Sequence, residues 1–174
     1  MEFKAETKLE YRDFLSWIKV HAKTSRRKLN TVLNVLTAVA LALIIAGAAI
    51  LICLDAMDTD VVIMLVGAGV CFGVILMRDR INARSSQKLY VRSIGTVYIT
   101  ANDEAIFAKN LKSEEKYFYS GLTAIYTNGD TYYLLLDKNH AIILPKRSFT
   151  SGDPEGFAAF LTEKTGLAVE YIKC

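Results

Sequence analysis

The chain offers few side chains for acid–base or nucleophilic chemistry: two histidines, His21 and His140, and three cysteines, Cys53, Cys71 and Cys174. His21 precedes a long apolar run and His140 lies in a turn, so both read as solvated. Asp137 is close to His140 but belongs to the same turn, and Ser148 lacks the strand-to-helix elbow that activates a nucleophile. No Cys/His group has metal-ligand spacing. Gly67-Ala68-Gly69 lies inside an apolar run and not between a strand and a helix, so it makes no phosphate loop. These residues predict a protein that is not an enzyme and that uses no cofactor or metal. Charge remains as the chemistry on offer. Lys146 and Arg147, adjacent after a predicted strand, read either as a solvated turn or as a pair that binds a partner or a lipid headgroup.

The elements that must position such a pair begin with two apolar runs. Twenty-six residues without a charge separate Lys28 from Asp55, and 17 more separate Asp60 from Arg78. At ~1.5 Å per helical residue these reach roughly 39 Å and about 25 Å, against a hydrocarbon core of about 30 Å. The first is ample; the second is short and needs Arg78 to snorkel. A soluble hairpin would require a large surface around two helices apolar on every face, which the remaining strands cannot supply. A cleaved signal peptide does not fit, because a polar, structured segment comes first.

Ten bases flank the runs, including Arg26, Arg27 and Lys28 before the first and Arg78 and Arg80 after the second, while the connector Asp55–Asp60 has three aspartates and no base. The positive-inside rule then predicts both termini in the cytosol and a multi-pass protein of the plasma membrane. The net charge of +3 says little about nucleic acid, because the bases are concentrated at that boundary, where anionic lipid attracts them; no nucleic-acid partner is expected. The expected organisation is an N-terminal strand and amphipathic helix over 1–28, transmembrane helices over 29–54 and 61–77, an external loop over 55–60, and a cytosolic β-domain over 87–174. Neither span contains a charge, which argues against an ion pathway. Ala42 and Ala46 match Gly73 and Gly69 in depth, so close packing of the spans is expected there.

Outside the runs the pattern shortens. Residues 2–10 alternate with one charged face, a half-exposed strand. Thr7 and Glu10 have capping-box spacing ahead of a helix with Tyr11, Phe14, Leu15, Ile18 and Ala22 on one side, suited to the headgroup level or to packing on the β-domain. Strands are expected over 95–100, 105–109, 117–119, 122–127, 130–136 and 141–144. Asn128-Gly129 is a strong hairpin signal. Asp153-Pro154 should start a closing helix with Phe157, Phe160 and Leu161 inward, and Gly166 should end it. The predicted class is an α+β membrane protein: a two-helix hairpin plus a small antiparallel β-barrel or sandwich with a C-terminal helix.

Leu144-Pro145-Lys146-Arg147-Ser148-Phe149, at the junction of the last expected strand and the helix, and Tyr119-Ser120-Gly121-Leu122 in mid-domain resemble motifs of the YcxB-like family of bacterial membrane proteins. The N-terminal strand, the helix start at Thr7 to Phe14 and the two spans are also shared. The resemblance implies a pleckstrin-homology-like cytosolic domain in a bacterial inner membrane, and no defined activity. Many lipid-binding pleckstrin-homology domains carry bases in their first strand-turn-strand; here Asp103 and Glu104 stand there instead. Two functions are expected. One is a membrane-tethered module that binds protein segments or lipid headgroups. The other is an accessory subunit of a membrane complex, a homo-oligomer included, assembled through the hairpin.

Overall fold

The computed structural model of the chain describes residues 2–24, 27–53, 59–138 and 140–173. Arg26, Cys174 and residues 54–58, most of the expected external loop, lie outside the described residues, as do the side chains of Arg27, Cys53 and Cys71. The chain divides into two compact units, one formed by Met1–Ser25 with Asn82–Cys174 and the other by Arg26–Ile81.

The larger unit holds the strands β1 (Phe3–Thr7), β2 (Val97–Ala101), β3 (Ala105–Lys109), β4 (Glu114–Phe118), β5 (Ala124–Thr127), β6 (Thr131–Leu135), β7 (Ala141–Pro145), β8 (Phe149–Ser151) and β9 (Val169–Tyr171). The fold is α+β. One sheet runs in the order β4-β3-β2-β1-β8, the other β7-β6-β5-β9. All pairings are antiparallel except β5 with β9. Period two in β1 places Phe3, Ala5 and Thr7 inside and Glu2, Lys4 and Glu6 outside. Between the sheets lies a core that includes Phe3, Ile99, Ile106, Ile125, Tyr132, Leu134 and Leu144. The helix α4 (Phe157–Thr165) closes it with Phe157, Phe160 and Leu161. Gly166 ends α4 with φ of 68°, a left-handed conformation that glycine adopts without strain.

Several expectations change. β1 lies between β2 and β8, so a domain bounded at 87–174 lacks an interior strand. Asp153 accepts bonds from the amides of Glu155 and Gly156 at 3.1 and 3.2 Å, capping a turn ahead of α4 whose N-cap is Gly156. The N-terminal helix α1 (Tyr11–Lys23) starts with Glu10 as N-cap. Its capping partner is Asp13, whose carboxylate accepts the Glu10 amide at 2.7 Å, so the Thr7-to-Glu10 box is not used. α1 packs on the outer face of the second sheet: Val20 and Trp17 cover Tyr133 and Leu135. That layer is why all five residues of β6 are buried, one face inward and the other under α1.

The smaller unit contains the helix α2 (Arg27–Cys53) and the first part of α3 (Thr59–Ser93). Asn30–Ile50 is 21 residues long, with mean hydropathy 2.4, and almost none of it is buried. Among the described residues it is the one helix long and apolar enough to cross a membrane. The 61–77 run is the shorter of the two, and α3 passes from it into Arg78, Arg80 and Arg84 without a break. Lys28 and Arg80 are exposed, and the Arg78 Nε lies 3.4 Å from Asp79.

Ala42, Ala46 and Gly69 are exposed, and Gly73 is half-buried. A Cβ added at Gly69 or Gly73 would meet nothing within 4 Å. Among the described residues, no close approach is seen at these glycines. The sheltered stripe of α2 is Thr37, Leu41, Ile44, Gly47 and Ala48, on nearly the opposite side of the helix from Ala42 and Ala46.

Candidate functional site

The Lys146-Arg147 corner is built by Pro145, which ends β7 at a sheet edge because it has no amide to donate. Lys146–Ser148 then form one 3-10 turn leading into β8. The Arg147 guanidinium grips Asp13 through its two terminal nitrogens, Nη1 and Nη2, at 2.9 and 2.5 Å. The Asp13 side chain is only 3% exposed. That bond, against the opposing effect of burial, holds the arginine pKa above its usual value. Lys146 donates to both oxygens of Glu155 at 2.8 Å and lies 5.4 Å from the Tyr132 ring centroid. Burial pulls its pKa down, but the Glu155 bond and neighbouring charges leave it raised. Neither base points freely outward, contrary to the expectation from sequence; Arg147 fastens α1 to the corner and Lys146 fastens the turn before α4. A polar recess of about 350 Å³ beside them also contains Asp13 and Asp130, whose charges offset the bases.

A larger concavity lies elsewhere in the same unit. It has a volume of about 710 Å³ and is walled by β1 to β4, β7, α1 and the last two turns or so of α3. Its sides are mainly apolar, with Leu9, Phe14, Leu89, Ile94, Ile99 and Ile142 among them. Phe14 meets Tyr90 edge-on at 5.4 Å, and burial pushes the Tyr90 hydroxyl up to about 12. Trp17 stacks on Tyr133 at 5.8 Å. Leu89 stays 67% exposed, so the rim presents apolar surface to whatever enters.

The polar groups around this cleft are mostly satisfied by neighbours. The Asn110 side-chain oxygen Oδ1 accepts the backbone amides of Lys112 and Ser113 at 2.7 and 2.8 Å. His140 Nδ1 pairs with Asp137 at 2.7 Å, both exposed within one turn. The Tyr117 hydroxyl donates to Glu115; burial first, and then that carboxylate, raises its pKa to about 12. The exception is Thr7. It is 1% exposed, and its hydroxyl is the one buried side-chain group without a hydrogen-bond partner among the described residues. Also among the described residues, no group of three His, Cys, Asp or Glu side chains could hold a metal.

Sequence reasoning missed this cleft because it missed the reach of α3. The signal was present: no glycine or proline interrupts residues 74–94, so nothing stops the helix before Gly95. Asp13 was also legible, as an acid at the third helical position after Glu10.

The family model described as YcxB-like protein matches residues 101–161. That segment, from the end of β2 to the middle of α4, is similar to the YcxB-like family, and both motif segments noted in the sequence fall inside it. No curated protein and no solved structure matches the chain.

Proposed function

We propose that this protein is a non-enzymatic, two-pass membrane protein that holds a recognition module in the cytosol. In this reading α2 and the 61–77 part of α3 are the spans, the connector faces outward, and the larger unit is a pleckstrin-homology-like domain. The observation that carries the binding role is the preformed 710 Å³ cleft, which falls within the size range of ligand sites and is lined as they are, by apolar walls with few polar groups. The Lys146-Arg147 corner is a weaker candidate, because its bases already neutralise Asp13 and Glu155. A recognition surface that fixes its own charges internally has little attraction left for anionic lipid.

A second reading, the accessory subunit assembled through the hairpin, draws support from exposed apolar side chains such as Val32, Leu36, Leu43 and Val66. Lipid contact accounts for the same exposure. Photo-crosslinking residues placed singly at Leu89, Thr100, Leu43 and the exposed Arg12 beside the Lys146-Arg147 corner, in the full chain in native membranes, separate the readings. Adducts concentrated at Leu89, with Thr100 silent, support the cleft. Adducts confined to Leu43, or equal at all four positions, would refute it.

A further inference from the structure

Resting on the reading of the larger unit as a binding module, we infer that the cleft takes a single uncharged amphiphile. Its body is an apolar chain or ring system, and it carries one hydroxyl, carbonyl or amide that bonds the Thr7 hydroxyl. Three features converge on this chemistry. The first is shape: the apolar side chains are gathered in a concavity of about 710 Å³, which suits a small ligand better than the broad face of a protein partner. Filling it removes the Leu89 and Ile94 side chains, 67% and 39% exposed, from water, and that is favourable in proportion to the apolar area covered.

The second feature is the unpartnered hydroxyl. A buried O–H without a partner is a standing cost to the fold, and Thr7 lines the cleft. A hydroxyl both donates and accepts, so an alcohol, ester, ketone or amide satisfies it equally. The third feature is charge. Among the described residues lining the cleft there is no lysine or arginine, and the one carboxylate is Glu115. His140, the remaining base in the lining, is already bonded to Asp137. An anionic headgroup drawn into this site would lose water and face Glu115 with no free counter-charge. Long-chain carboxylates are therefore excluded by the same walls that accept their neutral analogues.

The test uses the full chain in lipid nanodiscs near neutral pH. Two photoreactive probes of equal length are compared: a long-chain alcohol with a mid-chain diazirine and the corresponding carboxylic acid. Labelled residues are mapped by mass spectrometry, and labelling over 86–94 and 136–143 is normalised to labelling over 30–50. Any chain dissolved in the bilayer reaches 30–50 if that segment spans it. The alcohol should label the cleft saturably and about ten-fold more than the acid. Thr7→Val, which keeps the shape and removes the hydroxyl, should lower alcohol labelling several-fold without reducing thermal stability. Thr7→Ser should restore it, and Ala108→Phe should block it by filling the cleft. Equal labelling by acid and alcohol, no effect of Thr7→Val, or labelling of 30–50 alone would overturn the inference. If 30–50 takes no label, the membrane reading fails by itself, and the alcohol-to-acid ratio at the cleft still decides the ligand.

Discussion

Replacing Arg147 with alanine removes both hydrogen bonds that its guanidinium makes to Asp13. The Asp13 side chain is 3% exposed, and its other bond is to the Glu10 amide. Stripping a fully buried carboxylate of its partner costs about 3–5 kcal/mol. The Arg147 side chain is 35% exposed, so solvent screens part of the attraction, and about 2–3 kcal/mol is the better figure. A loss of ~2.5 kcal/mol lowers the folded-to-unfolded ratio roughly 70-fold and the melting temperature by about 10 °C for a unit of this size. The assay is thermal unfolding of the full chain in detergent, followed by emission from Trp17, the only tryptophan. It lies on α1 against Tyr133 and reports α1 leaving the sheet. Removing both charges, Asp13→Ala with Arg147→Ala, should cost less than the sum of the single changes by about 1 kcal/mol or more. If Arg147→Ala melts within about 1 °C of the parent, or the two changes add without coupling, the ion pair does not hold α1 in place.

Three further outcomes follow from the same geometry. Gly152→Ala should destabilise the larger unit by about 2 kcal/mol in thermal unfolding, since φ is 86° and the new Cβ would run into the Phe3 ring. Gly73→Leu should leave the stability of the hairpin in detergent within about 0.5 kcal/mol of Val70→Leu, because a Cβ at Gly73 meets nothing within 4 Å; a much larger loss would put the spans in close contact there. Alkaline titration should weaken the fold in a set direction. Burial raises the Tyr90 pKa from 10.0 to about 12, so its contribution is complete below about pH 10 and lost as pH rises through about 12. Tyr90→Phe should flatten that decline, and an unchanged profile would mean that the hydroxyl is not protected.

Local signals in the sequence were sufficient for much of the fold. The charged face of residues 2–10, Asn128-Gly129 and Gly166 each act within a few residues of themselves, and the strand, hairpin and helix end appear where they point. Phe149, at the end of the Leu144–Phe149 motif, turns inward and meets Phe157 edge-on at 5.1 Å. What stayed hidden depends on distant partners. β8 and β9 have three residues each, and only pairing with β1 and β5 makes them strands. Arg147 lies 134 residues from Asp13 in the chain, so no window around the Lys-Arg pair could reveal that its charge was taken. Thr7 misled for a related reason. Its spacing to Glu10 is that of a cap, but β1 continues through it and turns its side chain into the domain.

Thiol accessibility in intact cells tests the central claim, a cytosolic module held by two spans, most directly. Two single-cysteine proteins are needed, with the native cysteines replaced: Asp58→Cys in the connector and Lys112→Cys in the exposed turn between β3 and β4. The account predicts that a membrane-impermeant maleimide labels Asp58→Cys from outside and reaches Lys112→Cys only after permeabilisation. Labelling of Lys112→Cys in intact cells, or protection of both positions until the membrane is opened, would contradict it.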